Sequence, residues 1–157
     1  MLFGKADLKD IDELQRLRFA YLEEDFGDIS DENRAQIDAS LPDYLRRQLN
    51  RDLFVYTARE DRICACVWLL SLEKPASPAF PNGKTGFVMN VYTDPAYRRQ
   101  GLATRLMNMM LDEAKEMGLD MVELKATDAG YPVYKKVGFQ DAVAYHRPMI
   151  YRWEKEE

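Results

Sequence analysis

The stretch from Gly86 to Gly118, GFVMNVYTDPAYRRQGLATRLMNMMLDEAKEMG, restricts the fold more than any other part of the chain. An apolar run from Phe87 to Tyr92 stops at Asp94-Pro95, and a basic, glycine-bearing turn follows, Arg98 to Gly101. From Leu102 onward Ala103, Leu106, Met107, Met110, Leu111, Ala114 and Met117 recur on one face of a helix, with Arg105, Asn108, Asp112, Lys115 and Glu116 on the other. Gly118 is placed to end that helix. A strand, a basic glycine turn and a helix make an anion-binding arrangement, because the first N–H groups of a helix have no partner within it and point into the turn. Arg98 and Arg99 add charge-assisted donors, and Gly101 omits a Cβ where a phosphate would press on the backbone. The methionines read as core packing. A solvated charged turn is the competing reading of Arg98-Arg99, and the turn alone does not choose.

The turn lacks the G-x-x-x-x-G-K-[ST] of a P-loop and the G-x-G-x-x-G of a dinucleotide site. With 157 residues, 46% hydrophobic and 31% charged, the chain reads as one domain over residues 1–157 with a real core. A net charge of −5 argues against a general nucleic-acid binder and mildly favours a cationic acceptor such as an amine. No apolar run reaches membrane-spanning length, and Lys5, Asp7 and Asp10 break up the N-terminus, so no membrane segment is expected and the expected location is cytoplasmic. Cys64 and Cys66, two apart in an apolar strand, are expected on one face as buried small hydrophobes, unsuited to a disulfide. With His146 the lone histidine, no metal site is expected.

In order along the chain, Leu2 to Lys5 reads as a short strand, and Asp7 with Asp10 as a capping box for a helix whose inward face holds Ile11, Leu14, Arg18, Tyr21 and Leu22. The helix ends in an acidic patch, Glu23, Glu24, Asp25 and Asp28, read either as a solvated loop or as a rim that attracts a cation. Asp31 to Leu49 reads as two helical pieces divided at Leu41-Pro42. Strands follow at Leu53–Ala58 and Ile63–Leu72, the second apolar on both faces and so expected inside a covered sheet. The proline-rich segment from Glu73 to Lys84 is a loop, in which Phe80 is either a lid residue or a plug. Met121 to Ala126 reads as a strand, Pro132 to Gly138 as a short helix, and Ala142 to Trp153 as one or two closing strands.

Two motifs carry a family resemblance. Arg98-x-x-Gly101-x-Ala103, after a strand ending Asn90-Val91-Tyr92-Thr93, resembles the acetyl-coenzyme A signature Q/R-x-x-G-x-G/A of the GNAT N-acetyltransferase superfamily. Val133-Tyr134-Lys135-Lys136-Val137-Gly138-Phe139 resembles that family's L-Y-x-K-x-G-F motif, and the two stand in family order. The resemblance implies an α/β fold with a mixed, mostly antiparallel sheet whose central strands splay apart, flanked by helices. It implies acetyl-CoA as cofactor and direct acetyl transfer to a primary amine of a small molecule or protein in a ternary complex. The early helices take the place that shapes the acceptor pocket. Cofactor contacts would fall to Val91, Thr93, Arg98, Arg99, Gln100, Gly101, Leu102, Ala103, Thr104 and Thr127, where the family often has Asn. Tyr134 would be the acid that protonates the leaving thiolate, since a phenol stays protonated near neutral pH yet can donate. Packing on the pantetheine arm is its competing role. Asn90 and Tyr92, polar in an apolar run, are candidate acceptor-side residues. No general base is readable among Glu73, Glu123, Asp128 and His146. The alternative function is an acyl-CoA-binding regulatory module without catalysis, and self-pairing through the C-terminal strands into a homodimer stays open.

Overall fold

The computed structural model describes residues 1–155. Its strands form one five-stranded sheet in the order β1 (Leu2–Lys5), β2 (Leu53–Arg59), β3 (Ile63–Glu73), β4 (Lys84–Thr93), β5 (Met121–Glu123). The first three pairings are antiparallel and the last, β4 with β5, is parallel. A parallel neighbour needs a long crossover, which α3 (Leu102–Glu116) supplies. Helices α1 (Ile11–Phe26) and α2 (Asp31–Gln48) cover the other face, and α4 (Tyr131–Val137) packs beside α3. None of the helices is long and apolar enough to cross a membrane among the described residues.

The sequence periods explain the layers. Ile63 through Leu69 on β3 are buried in succession because the strand is covered on both faces. Tyr56, Val67, Leu69 and Val88 pack against Leu106, Met107 and Met110 of α3. Val55 and Trp68 pack against Leu14 and Leu17 of α1 and Leu45 of α2. Polar ties fix the helices to the sheet: the Tyr56 hydroxyl donates to Glu113 Oε2 at 2.5 Å, and Lys5 Nζ stands 2.9 Å from Glu113 Oε1. The capping box at Asp7 and Asp10 is present, closing a 3-10 turn (Leu8–Asp10) that runs into α1.

Two irregularities shape the site. Opposite Val67, β4 carries two residues, Asn90 and Val91, between the pairs Trp68–Met89 and Cys66–Tyr92. This is a β-bulge, and Asn90 takes φ 51°, a left-handed conformation that Asn tolerates better than most residues. Hydrogen-bonded pairing of β4 to β5 ends at Phe87–Glu123, so beyond that point the two strands splay.

Four expectations are corrected. Asp31 to Gln48 is one continuous helix with Pro42 inside it. The carbonyl that Pro42 leaves without a donor belongs to exposed Asp38 and is open to solvent, while Leu45 and Leu49 stay buried and hold the helix on the core. Cys64 and Cys66 do not share a face. A register shift between Ala58–Ala65 and Arg59–Ile63 leaves Cys64 bulged toward the α3 side, while Cys66 packs toward α1, and both remain free thiols. The strand expected over Met121 to Ala126 stops at Glu123, because the splay removes its partner. Ala142 to Trp153 forms no strand and is exposed throughout, because extended backbone needs a neighbour to pair with and none among the described residues stands beside it. In the proline-rich loop, Phe80 lies under Lys74 Nζ at 5.2 Å, inside a turn closed by the Lys74 N–H bond to Gly83 O.

Candidate active site

The splay between β4 and β5 opens a cleft of about 560 Å³. Val91, Tyr92 and Thr93 of β4 form one wall, and the turn with the start of α3 forms the second through Arg98, Arg99, Gly101, Leu102, Ala103 and Thr104. Thr127, Gly130, Val133, Tyr134 and Lys136 close it from the α4 side, and Glu24 reaches in from α1. Among the sequence candidates, Gln100 is exposed in the turn outside this lining. Asn90 is also outside it, buried behind the bulge, where its Oδ1 accepts from Arg18 Nη1 at 3.2 Å.

The start of α3 carries no capping side chain. Gly101, its N-cap, has φ 74°, and a Cβ built there would meet nothing within 4 Å. The first turn therefore presents backbone N–H groups to the cleft with the positive end of the helix dipole behind them. Arg99 joins the turn with φ 62°. Arg98 is anchored: its Nε donates to Thr93 O at 2.9 Å and its Nη2 to Glu24 Oε2 at 2.6 Å.

Tyr134 is 9% exposed and packs edge-on to Phe139. Its hydroxyl makes no hydrogen bond among the described residues. Burial, and then the neighbouring Tyr21, push the phenol up to about 12. A phenol so placed stays protonated well above neutral pH and keeps a proton to give.

The family model for the acetyltransferase (GNAT) family matches residues 11–139, which takes in both walls of the cleft. The chain belongs to the GNAT acetyltransferase family. A predicted acetyltransferase of Clostridium acetobutylicum, crystallised with acetyl-CoA, is 33% identical with a TM-score of 0.82 over 94% of this chain and 95% of that one. A GCN5-related N-acetyltransferase from Ralstonia eutropha is 26% identical with a TM-score of 0.80 over 94% and 97%. An uncharacterized N-acetyltransferase of Methanocaldococcus jannaschii is 27% identical over 81 residues, half of this chain. The chain spans about a third of the length of that curated relative, 32%. GNAT acetyltransferases use acetyl-CoA as cofactor, and the Clostridium neighbour was crystallised with it.

Several parts of this GNAT site do not follow from the motifs. The acidic patch at the C-terminal end of α1 is partly spent on internal pairs, Glu24 with Arg98 and Glu23 with Arg34, so it is not a free anionic rim. Asp94 stands between Arg16 Nη1 at 3.4 Å and Arg62 Nη2 at 3.5 Å, which ties the end of β4 to α1. The Thr127 hydroxyl accepts from Gly130 N–H at 3.1 Å, and its carbonyl accepts from Gly130 and Tyr131, so Thr127 builds the turn into α4. Gly130 itself was missed by sequence reasoning. A Cβ there would lie 2.8 Å from Tyr134 Cε2 and 3.0 Å from its hydroxyl oxygen, so glycine is what lets the ring sit where it does. Gly130→Ala is therefore expected to displace the Tyr134 ring, destabilise the fold by about 1–3 kcal/mol as overpacking does, and lower kcat. Unchanged melting and turnover in that variant would show that the ring has room to spare.

Proposed function

We propose that residues 1–157 act as one catalytic domain, which moves the acetyl group of acetyl-CoA directly to a primary amine of a small molecule or protein within a ternary complex. The observation that carries this reading is Tyr134, a buried phenol with no hydrogen-bond partner among the described residues, opening on the same cleft as the uncapped start of α3.

The residues present suit the cofactor. The backbone N–H groups of Leu102, Ala103 and Thr104 and the Arg99 guanidinium would hold its pyrophosphate, with Gly101 giving the backbone close approach. Arg98 would keep the turn in place through Thr93 and Glu24, with further N–H groups free for phosphate. Val91 and Thr93 stand where β4 has left β5, so their backbone is available to the amides of a pantetheine arm, as in strand addition. A backbone donor at the Val91 bulge would polarise the thioester carbonyl. When bound, acetyl-CoA supplies the acetyl thioester: a C–N bond forms to the amine as the C–S bond breaks. The proton on Tyr134 Oη goes to the departing sulfur, and the phenolate recovers one from the nitrogen or solvent. Cys66 is an unfit nucleophile, since burial pushes its thiol up to about 12, and this supports transfer without an acyl-cysteine.

A thiol-release assay over a panel of amines tests the reading. Release that depends on amine and enzyme supports it. Cofactor-dependent stabilisation with no release on any amine would support the non-catalytic module instead.

We further propose a homodimer. The free edge of β5 lies beside a groove of about 520 Å³ lined in part by Phe87, Val122, Leu124 and Phe139. The same chain displays Val143, Tyr145, Met149, Ile150, Tyr151 and Trp153 exposed by 74% or more. An unpaired edge and an unpaired apolar segment on one molecule complement each other between two copies. Gel filtration is expected to give a dimer, and Val143→Asp with Ile150→Asp a monomer. A wild-type monomer at micromolar concentration would contradict this.

A further inference from the structure

We propose that Arg18 is an anion-binding residue for the acceptor, so that the preferred substrate is an amine that also carries an anionic group, a carboxylate or a phosphate. This rests on the transfer reading above and names its substrate class.

The charge around Arg18 is unbalanced. Arg16, Arg34, Arg47, Arg59, Arg62 and Arg98 each stand within salt-bridge distance of a carboxylate. Arg18 does not, among the described residues, although it is partly buried. Its hydrogen bond goes to the neutral amide of Asn90, which accepts from Nη1 at 3.2 Å. Its Cζ lies over the Tyr21 ring, 5.8 Å from the centroid, and over the Trp68 ring at 6.0 Å. Tyr44 of α2 is also close enough to act on it, whereas Asp25 acts on Tyr21 and Asp52 on Tyr44. Burial pulls the guanidinium down from its usual value, with no acidic side chain to offset the loss of water. A cation kept from water without a counter-ion is unfavourable, and a ligand carboxylate or phosphate would relieve it through paired N–H bonds.

Position makes this an acceptor subsite. Asn90 precedes Val91 at the bulge, and Val91 lines the cleft. Tyr21, one helical turn beyond Arg18, is near enough to Tyr134 to raise its phenol. Arg18 thus lies on the α1–α2 face of the sheet, while the turn at Gly101 and α3 lie across it. An amine that reaches the bulge from that face would have its anionic group in range of Arg18.

The test compares leucine with leucinamide and phosphoethanolamine with ethanolamine, at fixed acetyl-CoA. The anionic member of at least one pair is expected to have the higher kcat/KM by about 10- to 100-fold, and which pair shows it separates carboxylate from phosphate. Arg18→Gln should erase that preference while KM for acetyl-CoA stays unchanged, and Arg18→Lys should restore part of it. Calorimetry of the same four compounds with the protein–coenzyme A complex reads the subsite without turnover. Heat from an anionic member, lost in Arg18→Gln, with no transfer to any amine would sink the transfer reading and leave the subsite standing. Equal kcat/KM within both pairs, no heat from either anionic member, or equal losses for both members of a pair in Arg18→Gln would overturn the inference.

Discussion

Tyr134→Phe is expected to lower kcat by about 10²- to 10⁴-fold, the range for loss of a positioned acid, while the acetyl-CoA dissociation constant stays within about threefold of wild type. The substitution keeps the ring, its edge contact with Phe139 and its fit over Gly130. It removes only the hydroxyl, which has no protein partner among the described residues, so the fold loses little. The sign of the pH dependence follows from burial. The phenol must be protonated to donate, and its environment moves it from an ordinary value of 10.0 up to about 12. Its protonated range therefore extends upward, and the wild-type kcat profile should show no falling limb from Tyr134 between about pH 8 and pH 10. Equal losses in turnover and in cofactor affinity would reduce Tyr134 to a packing residue.

Gly101→Val is expected to raise the acetyl-CoA dissociation constant by about 100-fold or more, since roughly 2.7 kcal/mol of pyrophosphate contact is then at stake. Two effects separate here. A φ of 74° is unfavourable for any L side chain, by about 1–2 kcal/mol. For a domain of this size that lowers Tm by about 2–8 °C. The new side chain itself clashes with nothing, because the space around a Cβ at Gly101 is open. Its bulk would therefore obstruct the ligand and spare the fold. A folded Gly101→Val that binds acetyl-CoA normally would remove the pyrophosphate role from this turn.

The parts of the molecule that the sequence makes legible are those governed by local periodicity. The Leu106, Met107 and Met110 stripe marks α3 because a helix of that length presents one face to the sheet, and those three residues are fully buried. The strand, turn and helix from Phe87 to Glu116 follow, and with them the walls of the cleft. What was not legible depends on tertiary context. Pro42 reads as a boundary because the local rule is strong, yet burial of Leu45 carries the helix through it. Cys64 and Cys66 alternate in sequence but not in space, since a bulge is invisible to a period of two. Gly130 matters through a ring four residues away. Arg18 did leave a signal: it falls on the inward face of α1 with Ile11 and Leu14, and an arginine in that position asks what it pairs with.

The central claim is that the turn at Gly101 and the splayed strand β4 hold acetyl-CoA. Calorimetric titration of the folded protein with acetyl-CoA tests it most directly. The expected result is saturable heat at one site per chain, displaced by coenzyme A. Folded protein that releases no heat even at millimolar acetyl-CoA would contradict it.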